Sequence, residues 1–121
     1  MALRGALQRL RTPVGEQDKA RLRDFCAAVP GATPIAELQP RQEATVAGEI
    51  TCIRIVPRPD GSSWLEATVS DGTGLLSVMW TGRTRIAGVK PGRCLTVTGR
   101  GAPTGPGGRL LIYNPRYELL G

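Results

Sequence analysis

The sequence predicts a small all-β domain, a five-stranded antiparallel barrel preceded by one or two short N-terminal helices. The chain has 121 residues, which is the length of one domain, and 40% hydrophobic residues suffice for one modest core. Its 16 Gly and 10 Pro indicate frequent turns, and therefore short strands rather than long helices. From residue 44 onward, apolar residues alternate with a period of two, as they do in half-buried strands.

The N-terminal third has helical rather than alternating periodicity. Leu3, Leu7 and Leu10 share one helical face among basic residues, so residues 1–15 are predicted to form a basic arm or a short helix. A second helix is expected over residues 16–29, before Pro30 and Gly31. It carries an apolar stripe made of Leu22, Phe25, Cys26 and Val29. Residues 16–43 are therefore expected to pack on a barrel formed by residues 44–121.

The first strand changes its parity part of the way along. Val46, Gly48 and Ile50 fall on one side, whereas Ile53 and Ile55 fall on the other side. Such a switch predicts a β-bulge, which Gly48 can supply because it lacks a Cβ atom. The strand ends in a loop at residues 57–61.

The second and third strands form a predicted hairpin. Strand two covers residues 64–70 and strand three residues 75–80, with a tight turn at residues 71–74 between them. Leu65, Ala67 and Val69 of strand two are expected to face inward, as are Leu76, Val78 and Trp80 of strand three. Asp71 is interpreted as an acceptor for backbone N–H groups of its own turn and not as a catalytic acid.

The last third of the sequence supplies two more strands. Residues 81–92 contain too much Gly and Pro for a long helix, and a short turn around residues 85–87 is expected to plug one end of the barrel. Strand four is predicted at residues 93–100, with Leu95 and Val97 inward, and strand five at about 109–113, where Pro115 limits further pairing. This layout is that of an OB-fold.

Several motifs resemble known families. The segments VAGEI (46–50), VSDGTG (69–74) and PGRCLTVTGR (91–100) resemble OB modules of aminoacyl-tRNA synthetases, replicative polymerases and branch-migration helicases. The segments GATPI (31–35), WTGRTRIAG (80–88) and IYNPRYELL (112–120) resemble a group of small actinobacterial proteins described as OB-fold nucleic-acid-binding domain proteins. The resemblance covers residues 16–121, and it implies an OB-fold with nucleic acid as the partner.

Composition favours one class of partner and argues against catalysis. The net charge of +6 and the pI of about 10.0 suit a polyanion. The alternative is a codon bias, because most of the basic residues are Arg in a chain rich in Ala, Gly and Pro. The chain has no His, and its three Cys form no CxxC pair, which disfavours a metal, a cofactor or a disulfide framework and fits a reducing cytoplasm. No stretch reaches the roughly 20 apolar residues of a membrane span.

The predicted binding surface is the outer face of strands two and three with its flanking loops, where OB-folds bind oligonucleotides. Trp64 is the aromatic residue expected on this face, either as a stacking platform or as a rim residue that closes the core. Glu66 opposes a bound anion. The predicted nucleic-acid-binding residues are Arg54, Arg58, Trp64, Thr68, Ser77, Arg83, Arg85, Arg100 and Arg109.

Two functions remain open from the sequence. The first is non-catalytic binding of nucleic acid, with single strands preferred, through this face and its basic loops. The second is a protein–protein interaction module of a larger assembly, in which the basic charge only faces solvent. Neither function requires a small-molecule substrate or a membrane.

Overall fold

The structure is a computed structural model that describes residues 14–104 and 108–121. Most of the predicted N-terminal arm, residues 1–13, lies outside the described residues. One α-helix, α1 (Val14–Ala27), and one turn of 3-10 helix (Ile35–Glu37) precede the strands. The strands are β1 (Glu43–Pro57), β2 (Ser63–Ser70), β3 (Leu75–Trp80), β4 (Cys94–Arg100), β5 (Ala102–Pro103), β6 (Leu110–Tyr113) and β7 (Arg116–Leu119).

These strands form one curled sheet in the order β5-β6-β3-β2-β1-β4-β7. Strand β6 runs parallel to β3, and the other pairs are antiparallel. Only Asn114 and Pro115 separate β6, which pairs with β3, from β7, which pairs with β4. The end of the chain thus connects both sides of the curl, in agreement with an OB-fold.

The predicted count of five strands is wrong in detail, because the structure has seven over the described residues. The predicted fifth strand is interrupted at Asn114, which has a positive φ of 47°, and at Pro115, which has no N–H for a ladder bond. Pairing resumes at Arg116. The additional short strand β5 follows β4 directly after Gly101.

The parity switch in the first strand is confirmed as a β-bulge. The register between β1 and β2 shifts between Ile50 and Cys52, so the bulge lies at Thr51 and not at Gly48. Ile53 and Ile55 consequently return to the inner side, opposite Ala67 and Leu65.

The core fills the inside of the curled sheet. Trp80, predicted to face inward, is buried, as are Leu95 and Val97. Ile86 and Val89 from the connector between β3 and β4 also join the core, as the predicted plug requires. Burial of these side chains removes apolar surface from water, which is the main stabilising contribution to a domain of this size.

The helix differs from its prediction in both position and contacts. It begins at Val14 and ends at Ala27, about two residues before each predicted limit. Only part of the predicted stripe is buried, because Cys26 is covered whereas Phe25 remains 49% exposed. The helix packs closely on the β2–β3 turn, since a Cβ atom at Gly72 would lie 2.5 Å from the carbonyl oxygen of Lys19.

Asp71 joins the β2–β3 turn to the segment that leads into the sheet. Its Oδ1 accepts hydrogen bonds from the backbone and hydroxyl of Thr73, at 2.8 and 2.7 Å, and from the Gly74 N–H at 3.2 Å. Its Oδ2 accepts the N–H of Ile35 at 2.8 Å. Asp71 is 3% exposed, and both of its carboxylate oxygens accept hydrogen bonds. The bonds from Thr73 and Gly74 fit the turn interpretation, whereas the bond from Ile35 is not part of it.

Candidate nucleic-acid interface

The outer face of the sheet is shared by β2, β3 and β6. Glu66 lies opposite Met79, and Met79 lies beside Tyr113 in the parallel ladder. One step away, Thr68 lies opposite Ser77, which lies beside Leu111. Because paired residues point to the same side, these two rows share one face of the three strands. Met79, Ser77 and Leu111 are buried on this face, Glu66 and Thr68 are half-buried, and Tyr113 is exposed.

The β1–β2 loop is organised by its own hydrogen bonds. The Asp60 carboxylate accepts the Ser62 N–H at 2.9 Å and the Ser62 hydroxyl at 2.6 Å, and these bonds hold the pKa of Asp60 below its usual value. The Arg58 N–H donates to the Ser62 carbonyl at 2.8 Å. The loop therefore holds Arg58 close to the start of β2.

An aromatic and cationic cluster lies at this end of the face; we call Arg58, Trp64 and Tyr113 the stacking cluster. The Arg58 guanidinium carbon lies 4.1 Å from the centroid of the Trp64 ring. The Tyr113 ring meets Trp64 edge-on, with centroids 6.3 Å apart and an interplanar angle of 86°. Trp64 is half-buried and Tyr113 is 51% exposed. Planar groups are thus concentrated at one point of the surface.

The alternation in the sequence indicates Trp64 as the aromatic residue of this face and does not indicate Tyr113. The signal was present, because the OB-fold strand order places the last strand beside strand three and the parity of Tyr113 matches that of Met79. The parallel pairing of β3 and β6 is a contact between distant segments, and local alternation alone does not reveal it.

Arg54 neutralises the acidic residue on this face. It lies opposite Glu66 in the ladder, and its guanidinium donates a hydrogen bond to the Glu66 carboxylate, which raises the pKa of Arg54. The ion pair is solvent-exposed on the Arg54 side, so it contributes little to stability. Its main effect is to neutralise Glu66, which therefore repels phosphate less than the sequence suggests. Arg54 in turn has its guanidinium paired with Glu66 and not free for phosphate.

The other predicted contacts are spread around the face. Ser77 is buried and Thr68 is half-buried, so the centre offers few accessible polar groups. The Thr81 N–H donates to the Asn114 side chain at 2.9 Å, which fixes the start of the connector beside the end of β6. Arg83 and Arg85 are exposed and lie just after Thr81, in the connector that begins at this end of the face.

Two further predicted arginines lie away from the stacking cluster. Arg109 is exposed just before β6, at the opposite end of the face, beside a groove of about 380 Å³ that Leu75 also lines. Arg100 ends β4, on the far side of β1, and donates to the Arg41 carbonyl at 3.0 Å. The structure thus brings together Arg58 with Trp64 and, at the centre of the face, Thr68 with the buried Ser77. The remaining predicted residues lie at separate positions: Arg54, Arg83, Arg85, Arg100 and Arg109.

The described part of the chain shows neither a metal cluster nor a membrane helix. No three His, Cys, Asp or Glu side chains group as metal ligands in residues 14–104 and 108–121. Over the same ranges, no helix combines the length and apolarity needed to cross a membrane.

Comparison with known proteins identifies the fold. No family model and no curated protein matches the sequence. Among solved structures, RecG bound to a three-way DNA junction is similar over 74% of this chain, with a TM-score of 0.60 and 21% identity. This chain corresponds to only 12% of that RecG chain.

Two smaller proteins match over nearly their whole length. The second OB-fold domain of replication protein A from Methanococcus maripaludis has a TM-score of 0.52 and 22% identity, and the match covers 74% of this chain and 94% of that one. The mitochondrial single-stranded DNA-binding protein Rim1 from S. cerevisiae has a TM-score of 0.50 and 16% identity, covering 68% of this chain and 97% of that one. The chain therefore has the fold of an OB domain.

Proposed function

We propose that this protein binds single-stranded nucleic acid without catalysis, through the outer face of β2, β3 and β6. The observation that carries the proposal is the stacking cluster of Arg58, Trp64 and Tyr113. Exposed planar groups beside cations are what single strands require, because bases stack on rings while phosphates meet positive charge. The similarity to a single-stranded DNA-binding protein supports the same conclusion.

Arg58 determines how a base reaches this cluster. Its guanidinium already lies over one face of the Trp64 indole. An incoming base stacks either on the outer side of that guanidinium, which extends the stack, or on Tyr113, which is the more exposed ring. Arg83 and Arg85 at this end, and Arg109 at the other, are then available for phosphate groups.

The test is fluorescence polarization with labelled single-stranded DNA, single-stranded RNA and duplex DNA. We expect single strands to bind more tightly than duplex. Trp64→Ala and Tyr113→Ala should each reduce the binding free energy by about 1–3 kcal/mol with little change in salt dependence. The matched control is Tyr117→Ala, since Tyr117 is also exposed but packs against the core residue Trp80.

Salt dependence tests the electrostatic part of the proposal. A face of this size suits about three to five phosphate contacts, so the log–log slope of affinity against salt should be about 2–4 for a single strand. Arg83→Ala and Arg109→Ala should each lower that slope by about one. A flat salt response, or no binding at low salt, would refute this function.

A second candidate function, protein docking, is supported by one feature. A groove of about 530 Å³ separates α1 from the sheet, and its lining includes Leu22, the exposed Phe25 and Cys94. If single strands do not bind, Phe25→Ser should weaken association with a protein partner while the fold remains intact.

A further inference from the structure

Within the part of the chain that the structure describes, the second half of β1 is a sheet edge with no partner on its outer side. Strand β4 pairs with β1 only from Glu43 to Glu49, and after the bulge β1 pairs only with β2 among the described residues. Cys52–Val56 therefore presents backbone N–H and C=O groups on its open side. Ile53 and Ile55 are 37% and 55% exposed on the inner side of this extension. Such β-branched, exposed edges pair readily with another strand.

We infer that this edge pairs with the same edge of a second copy of the chain. The bulge at Thr51 ends regular pairing on one side, and Pro57, which lacks an N–H, ends it on the other. The open segment is thus five residues long, and antiparallel self-pairing uses all five only when it is centred on Arg54. These limits favour a discrete dimer over open-ended strand addition.

The side chains are self-complementary in that register. Ile53 of each copy lies opposite Ile55 of the other, which forms two cross-strand Ile–Ile pairs. Arg54 meets its own copy at the centre, and the Glu66 carboxylate of each chain compensates the charge that would otherwise repel. Charge and apolar surface therefore both fit a second copy of this chain.

The dimer extends the surface described for nucleic acid, and in this respect it rests on the proposed function. Cys52, Arg54 and Val56 lie on the same side as Thr68, Glu66 and Trp64. A two-fold axis through the sheet keeps directly opposed residues on one side. Two stacking clusters consequently lie on one continuous face, so a long single strand reaches both and gains from the higher effective concentration.

Cysteine cross-linking tests the register without nucleic acid. In the proposed dimer, Cys52 lies opposite Val56 of the other copy, within reach of a disulfide. Within one chain, positions 52 and 56 are about 13 Å apart along the strand and cannot be joined. Val56→Cys should therefore give a disulfide-linked dimer under mild oxidation, whereas Val56→Cys combined with Cys52→Ser should not. Mass spectrometry should assign the link to positions 52 and 56.

Equal cross-linking of both variants, or none at high protein concentration, would overturn the inference. Sedimentation equilibrium provides a measurement that needs no introduced cysteine. Because one short edge buries much less than the roughly 1,600 Å² of a standard interface, we expect a weak dimer of the parent protein. Ile55→Lys should remove it, and Leu75→Lys, at a similarly exposed leucine on β3, should not. A parent that stays monomeric at high concentration would also overturn it.

Binding measurements separate this inference from the proposed function. The cross-linked dimer should bind a long single strand at least about tenfold more tightly than its reduced form, and a short strand with unchanged affinity per site. If the dimer cross-links in the predicted register but binds no single strand, the proposed function fails and the interface stands.

Discussion

At the scale of single residues, the buried Asp71 carboxylate accepts hydrogen bonds from three backbone N–H groups and one hydroxyl. Asp71→Ala should lower the free energy of unfolding by about 2–4 kcal/mol, because the buried donors that it serves lose their acceptor. Asp71→Asn should have a smaller effect, since the amide retains one acceptor oxygen. Urea unfolding measures both changes.

The matched control is Asp60→Ala. Asp60 also accepts hydrogen bonds within a turn, but it is exposed, and its replacement should change stability by less than about 0.5 kcal/mol. Equal effects at positions 60 and 71 would contradict a structural role that depends on burial.

The three cysteines should differ in reactivity, a second residue-scale prediction. Burial raises the pKa of Cys26 to about 11, with a smaller effect from the nearby Asp71 carboxylate, and burial also raises the pKa of Cys94. Cys52 is exposed. In the native protein at mildly alkaline pH, a thiol reagent should modify Cys52 first, and Cys52→Ser should remove that fast phase. Simultaneous modification of all three would contradict the described packing.

The raised pKa of Cys26 also determines how stability changes with pH. Between about pH 9 and pH 11, the thiol ionises in the unfolded chain but stays protonated in the folded one. Protons are then bound more tightly by the folded state, so stability falls as the pH rises through this range. Cys26→Ala should reduce that dependence, which urea unfolding at several pH values would show.

At the scale of elements, the docking of α1 depends on the β2–β3 turn. Gly72 has a φ of 85°, and a Cβ atom there would meet the Lys19 carbonyl of the helix. Gly61 has a similar φ of 88° but nothing within 4 Å of a Cβ position. Gly61→Ala should cost about 1–2 kcal/mol from backbone conformation alone, and Gly72→Ala about 1–3 kcal/mol more from the clash. Thermal or urea unfolding would show whether the two differ; equal losses would mean that α1 does not pack on this turn.

Local patterns predicted the elements better than the contacts between them. The alternation around Leu65, Val78 and Val97 and the parity switch before Ile53 predicted inner faces and a bulge, because these depend on neighbouring residues. Tyr113 beside Trp64 depends instead on which distant strands pair, and the Arg54–Glu66 ion pair depends on the register. The exposure of Phe25 likewise reflects how α1 meets the sheet, which helical periodicity does not specify.

At the scale of the whole molecule, residues 1–13 should be dispensable for folding. The described core extends from Ile35 to Ile112, and the sheet begins at Glu43. We therefore propose that residues 14–43 pack on a barrel that folds as one unit with them. Deletion of residues 1–13 should retain the β-type circular dichroism and a cooperative thermal transition. Loss of either would show that the deleted segment belongs to the folded unit.

The two oxygens of Asp71 also imply an order of events during folding. Oδ1 accepts hydrogen bonds from Thr73 and Gly74, which are close in sequence. Oδ2 accepts the N–H of Ile35, which is 36 residues away. Contacts between near neighbours form before distant ones because they close shorter loops. Ser70→Ala removes a hydroxyl that accepts the Gly72 N–H within the turn at 3.3 Å, so it should slow folding by weakening the turn in the transition state. Asp71→Asn should instead mainly accelerate unfolding. Stopped-flow chevrons of the two variants would show whether the hairpin forms before the N-terminal segment attaches to it.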